Sequence, residues 1–122
     1  MTHYIEITPV SKPRMTQRDK WAGRDCVMKY FAFKDKLKDK IKFDPELLYD
    51  PHEITFVIPM PKSWSKDKKR SMNGQAHRAK PDIDNLMKAV YDSLLVDDSS
   101  VWSVTARKYW GETGSITFEI LE

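Results

Sequence analysis

Cysteine is almost missing from this 122-residue chain, with Cys26 standing alone. One thiol excludes an internal disulfide and a Cys-rich zinc site; a reducing compartment is the simplest setting, and a small buried core thiol is the expected role. Histidine is nearly as scarce. His3, His52 and His77 lie far apart without ligand spacing, so zinc is not expected and surface positions are. With only four glycines, the chain has no Gly-rich phosphate loop, and no G-x-S-x-G elbow occurs. No apolar run approaches the ~20 residues that a membrane span needs, and the opening MTHYIEITPV lacks a basic start followed by an apolar stretch. A cytoplasmic protein with no membrane partner is the expectation. No internal repeat or low-complexity segment is visible.

What the chain does have is segregated charge. Its length and 40% hydrophobic content fit one domain over residues 1–122, with a core modest enough that burial at a subunit interface is expected. The net charge is +3, yet residues 9–24 carry +4, residues 62–80 carry +6 and the remainder is −7. Lys12, Arg14, Arg18, Lys20 and Arg24 make the first basic stretch; Lys62, Lys66, Lys68, Lys69, Arg70, Arg78 and Lys80 make the second. Both contain proline, serine or glycine, which points to loops that meet a polyanion such as a phosphate backbone, or else to solvated loops.

Periodicity supplies the elements. Residues 3–8 alternate with Ile5 and Ile7 on one face, and residues 53–59 alternate with Ile54, Phe56 and Ile58 inward, so each reads as a strand. Residues 25–42 read as a helix with Val27, Tyr30, Phe31, Phe33, Leu37 and Ile41 on one side and lysines on the other. Residues 61–80 show no sustained period and are expected to form a mobile loop. Residues 101–110 and 115–121 are two further β-like runs, and GETG between them predicts a hairpin turn. The order predicts an α+β domain: a mixed β-sheet packed against two main helices.

Directly behind the second basic stretch, five aspartates fall within 17 residues, at 82, 84, 92, 97 and 98. Asp82 suits the N-cap of a helix starting near Ile83, and Ile83, Leu86, Met87, Val90, Tyr91 and Leu94 form one apolar stripe along it. Asp84, Lys88 and Asp92, four apart, form a column on one exposed edge. Taken singly, these are a cap, an ion-pair ladder and a polar turn. Taken together they suit another purpose. Asp82 and Asp84 are aimed the same way by an extended approach to the helix, and Asp98 returns to them if the chain turns back. Three such carboxylates beside a basic loop make sense around a hard cation: Mg²⁺ takes oxygen ligands, and can bridge phosphate and activate water for phosphodiester hydrolysis. Lys88, one turn beyond Asp84, is placed to stabilise charge on the phosphate. A calcium EF-hand is excluded, because Met87 and Ser93 stand where that loop needs glycine and glutamate.

The segments PDIDNLMKAVYDSL and DDSSV together resemble the signature of the RusA-like Holliday junction resolvases, small endonucleases common in phages and prophages. The pattern covers residues 82–98, and length, strand order and the upstream basic loop extend it over most of the chain. The resemblance implies that Asp82, Asp84 and Asp98 are metal-binding catalytic aspartates and Lys88 a catalytic lysine, with Asn85 and Asp92 structural. It implies that Lys108 is a basic position near DNA; Lys12, Arg14, Lys66, Lys68, Lys69, Arg70, Arg78 and Lys80, from the two basic stretches, are the other candidate DNA-binding residues. It further implies a Mg²⁺-dependent homodimer, Mn²⁺ substituting, that cuts four-way junction DNA by paired symmetric incisions. A related flap or branched-DNA nuclease, or a non-catalytic DNA-binding module, are the other readings open to the sequence.

Overall fold

The β-like runs assemble into one four-stranded sheet in the computed structural model, which describes residues 1–13 and 25–121. β1 (Thr2–Glu6), β2 (His52–Pro59), β3 (Val104–Gly111) and β4 (Ser115–Ile120) lie in the order β1-β4-β2-β3. β4 is antiparallel to both β1 and β2, whereas β2 and β3 run parallel, so the sheet is mixed and the fold is the expected α+β. Three α-helices stand among the described residues: α1 (Asp25–Lys40), α2 (Lys66–Met72) and α3 (Ile83–Leu94). Single 3-10 turns occupy Pro45–Tyr49 and Asp98–Ser100.

The hairpin expected at GETG is not formed. A parallel pair needs a long crossover; here it carries the basic segment, α2 and α3 between β2 and β3. β4 then pairs with β2 rather than with β3, so residues 112–114 step across the end of β2. Gly111 permits that step: a Cβ there would lie 2.3 Å from Val57 Cγ1.

Among the described residues, helices close only one face of the sheet. Cross-strand rows run Ile5, Ile116, Phe56, Lys108 and then His3, Phe118, Ile54, Ala106 along the covered face. The opposite face carries residues such as Tyr4, which is exposed. Two-residue alternation produces this division, because successive side chains leave opposite sides of a strand. α1 and α3 cover the apolar face. α3 contributes Leu86, Ala89 and Val90, all with no exposed surface, and burying a Leu or Val side chain is worth about 1.5–3 kcal/mol. α1 contributes Val27, Tyr30, Phe33 and Leu37, but Phe31 is exposed, and the helix ends at Lys40 rather than at 42. Its apolar stripe is narrower than the periodicity implied.

Two further expectations are corrected. Cys26 lies exposed in the first turn of α1 rather than in the core. His52 and His77 are buried rather than at the surface. His52 survives burial because it is satisfied: its Nδ1 donates to the Asp50 carbonyl at 2.9 Å, leaving Nε2 to accept from the Tyr91 hydroxyl at 2.7 Å. That bond joins α3 to β2 inside the core, where burial pushes the Tyr91 phenol well up from its usual range.

Tyr91→Phe removes the donor and strands His52 in the core. Urea denaturation is expected to show a loss of about 1–3 kcal/mol, the cost of a buried group left unpaired.

Candidate active site

Proline at 81 and aspartate at 82 start α3 where the sequence placed it. Asp82 is the N-cap, with extended backbone angles (φ −68°, ψ 145°), and its carbonyl accepts from Leu86 at 3.1 Å. Its carboxylate makes no cap hydrogen bond. An N-cap aspartate ordinarily spends that oxygen on the first-turn amides; here it is exposed instead. Asp84 is exposed too, and its Oδ1 accepts from the Asn85 backbone N–H at 2.9 Å. Asp82 and Asn85, with Ser11, Lys80 and Pro81, line a depression of about 400 Å³.

The chain leaving β1 runs beside α3. Lys12 donates its backbone N–H to the Asn85 carbonyl at 3.2 Å, and its ammonium pairs with Asp92. Asp92 is therefore a structural charge, half-buried between Lys12 and Lys88. Burial, together with Asp92 nearby, pushes the Tyr30 phenol up to about 12.

Lys88 lies within reach of two carboxylates. Its ammonium donates to Asp98 Oδ2 at 2.7 Å and stands 3.9 Å from Asp92 Oδ1. The bond to Asp98, with Asp92 nearby, raises the Lys88 pKa above its ordinary value, and the same bond holds the Asp98 carboxyl below the usual carboxylate range. Asp97 has the separate task of building the turn: its Oδ1 accepts from the Ser99 backbone N–H at 3.1 Å and from the Ser99 hydroxyl at 2.5 Å. Two adjacent aspartates thus divide their work, one folding the loop and the other meeting Lys88.

Among the described residues, no three His, Cys, Asp or Glu side chains are grouped as a metal ion would need. The closed trio expected from Asp82, Asp84 and Asp98 is not grouped in this structure, and Asp98 is bonded to Lys88 instead. Asp82 and Asp84 remain a two-carboxylate, all-oxygen set at the start of α3, and this fits Mg²⁺, which is commonly held by one or two carboxylates plus substrate phosphates and water.

Against known protein families, residues 6–121 match endodeoxyribonuclease RusA. The chain belongs to the RusA endodeoxyribonuclease family. No curated protein matches it. No helix among the described residues is long and apolar enough to cross a membrane.

In this RusA-family domain the segment at 61–80 is not the structureless loop expected. Ser65 caps α2, accepting from the Lys68 backbone N–H at 3.1 Å, and the helix buries no residue. That is why no apolar period marked it. An aromatic stack joins the segment to the sheet edge: His77 lies 4.1 Å from Trp110, Trp110 lies 4.7 Å from Trp64, and the Lys68 ammonium sits 4.3 Å above Trp64 (ring centroids). Burial, then Lys108 nearby, lowers the His77 pKa.

The candidate DNA-binding cations separate accordingly. Lys66, Lys68, Arg70, Arg78 and Lys80 are exposed, Arg70 standing 3.7 Å from Asp67, and Lys69 is half-buried. Lys12 is committed to Asp92. Lys108 is committed to backbone, its ammonium donating to the Ala79 and Pro81 carbonyls at 2.6 Å each. Arg14 falls outside the described residues. Ser11, Trp64 and Trp110 belong to the site or its support but carried no motif that could single them out.

In metal-free protein, NMR titration is expected to place the Asp98 carboxyl midpoint below 3.8 and the Lys88 ammonium midpoint above 10.5. The sign follows from the pair: any stability it lends through Asp98 is present above the unfolded carboxyl value and lost as pH falls through the lower folded one. Through Lys88 it is present below the unfolded ammonium value and lost as pH rises through the higher folded one. Lys88→Met is expected to move the Asp98 midpoint upward.

Proposed function

We propose that this endodeoxyribonuclease is a Mg²⁺-dependent Holliday junction resolvase that cuts four-way DNA by paired, symmetric incisions as a homodimer. The observation that carries the reading is Asp82: an N-cap aspartate whose carboxylate is not used as a cap, next to Asp84 and behind the most basic stretch of the chain. Carboxylates repel phosphate, so a protein that only bound DNA would gain nothing from them there.

Mg²⁺, or Mn²⁺ in its place, would be held by Asp82, Asp84 and Asp98, with water and phosphate oxygens completing its shell. When bound, such an ion polarises the phosphoryl group and makes water a nucleophile near neutral pH. The chain's own residues do the rest. Lys88, its ammonium held charged by its neighbours, neutralises charge growing on the phosphate once released from Asp98. The exposed cations of α2 and of residues 78–80 hold the DNA backbone and so set where the scissile bond lies. A two-fold dimer suits a junction, which offers two equivalent strands to two equivalent sites.

Asp82→Asn keeps the cap, since asparagine caps as well as aspartate, but loses the charge that holds the cation. Single-turnover cleavage of junction DNA in Mg²⁺ is expected to fall by at least about a hundredfold, the upper end of what even an outer-shell metal partner costs. Gel-shift affinity in EDTA is expected to hold or tighten. Near wild-type cutting by a normally folded variant makes Asp82 a cap and nothing more. Junction, flap and linear duplex run side by side separate a resolvase from a flap nuclease.

Replacing Lys68, Lys69 and Arg70 together with alanine is expected to weaken junction binding and to flatten its salt dependence. The slope of log affinity against log salt should fall by about 0.9 for each phosphate left without its cation. An unchanged slope means that α2 is merely solvated.

A further inference from the structure

We infer that Lys108 is a positioning residue for Asp82, and does not itself bind DNA. It deepens the nuclease reading above and rests on it. Lys108 occupies an inward position at the sheet edge, at the end of the row Ile5, Ile116, Phe56. In the two rows beside it, β3 places Ala106 and Trp110. A lysine in a half-buried, core-facing row must find partners for its ammonium. It finds two, the carbonyls of Ala79 and Pro81 at 2.6 Å each. An ammonium has three donors, so two of the three are spent on the chain immediately before Asp82.

The same residue grips that chain a second time. The Lys108 carbonyl accepts from the His77 amide at 3.0 Å, within a short antiparallel bridge that pairs Ala76 with Tyr109. Gly74 donates to the Trp110 carbonyl and Trp110 to the Gln75 carbonyl, each at 2.9 Å. Residues 74–77 are thereby laced to the β3 edge through backbone, and residues 79–81 through one side chain. Residues 79–81 have neither helix nor sheet partners to define them, and Asp82 is the next residue. Lys108 therefore sets where the Asp82 carboxylate stands relative to the basic element that holds the DNA. Charge-assisted bonds to two carbonyls specify position more tightly than one, and a carboxylate displaced by about 1 Å can cost about a hundredfold in rate.

The test uses Lys108→Met, which keeps the stem and removes the donors, and Lys108→Gln, which keeps an amide able to donate to one carbonyl. With saturating enzyme and Mg²⁺, single-turnover junction cleavage is expected to fall in the order Lys, Gln, Met, with the methionine variant down about tenfold to a hundredfold. The salt slope of junction binding in EDTA is expected to match wild type for both variants, because every phosphate keeps its cation. Amide hydrogen exchange at residues 79–84 of the metal-free protein is expected to accelerate in the same order, while exchange in β4 stays unchanged; this arm needs no cleavage, so it stands apart from any failure of the nuclease reading. Should Lys108→Met not fold, the glutamine variant carries the comparison alone. A slope lowered by about 0.9 with the saturated rate intact makes Lys108 a phosphate-binding residue and overturns the inference. A glutamine variant with wild-type rate and wild-type exchange also overturns it.

Discussion

The burial of α3 on the covered face of the sheet is the contact from which the rest of the site takes its geometry. Leu86, Ala89 and Val90 are wholly inside, and the Tyr91 hydroxyl meets His52 within the same contact. A helix held along that stripe has no rotational freedom left. Asp84, Lys88 and Asp92 must then share one column away from that stripe, and Asp82 must stand at the end of the helix nearest the basic segment. The apolar stripe thus decides the orientation of the charges along α3, although none of its members is polar except at the Tyr91 tip.

Charge is graded along that column. Asp92 is enclosed by Lys12 and Lys88, and its role is to hold the chain leaving β1 against α3. Asp98 is bonded to Lys88 in a more open setting. Exposed ion pairs are worth little and are screened by salt, so the pair that could change partners is the one that costs least to break. At the start of α3, Asp82 forgoes a cap bond that would stabilise the helix. Local stability is set aside there in the way that functional sites commonly show.

The β3 edge does two jobs at once. An open edge strand presents unpaired backbone groups, and proteins commonly cover such an edge. Here the cover is the basic segment itself, attached by the bridge at Ala76 and Tyr109 and by the stack of His77, Trp110 and Trp64. Protection of the edge and presentation of α2 are therefore one structural event, and Lys108 extends it to residue 81.

Local pattern determined the strands, α1, α3 and the cap position at Asp82, since two-residue and 3.6-residue periods are written in the order of side chains and need no distant partner. The acidic motif was legible for the same reason: its aspartates and lysine lie within one helix, its cap and the turn after it. Short α2 was not legible, because it buries nothing and so has no period. Strand order was not legible either; three residues between β3 and β4 suit a hairpin as well as a step across β2, and only the β2 pairings decide between them. The burial of His52 depends on Tyr91, 39 residues away, and the bond of Lys88 to Asp98 depends on where the turn after α3 comes to rest. Lys108 makes the point most sharply. By sequence it is one more basic residue after an acidic motif, whereas the parallel pairing of β2 with β3 places it beside residues 79–81, where an ammonium becomes a backbone clamp. Hydrophobic periods are properties of neighbours along the chain; the partners of a charge are properties of the space that the folded sheet creates.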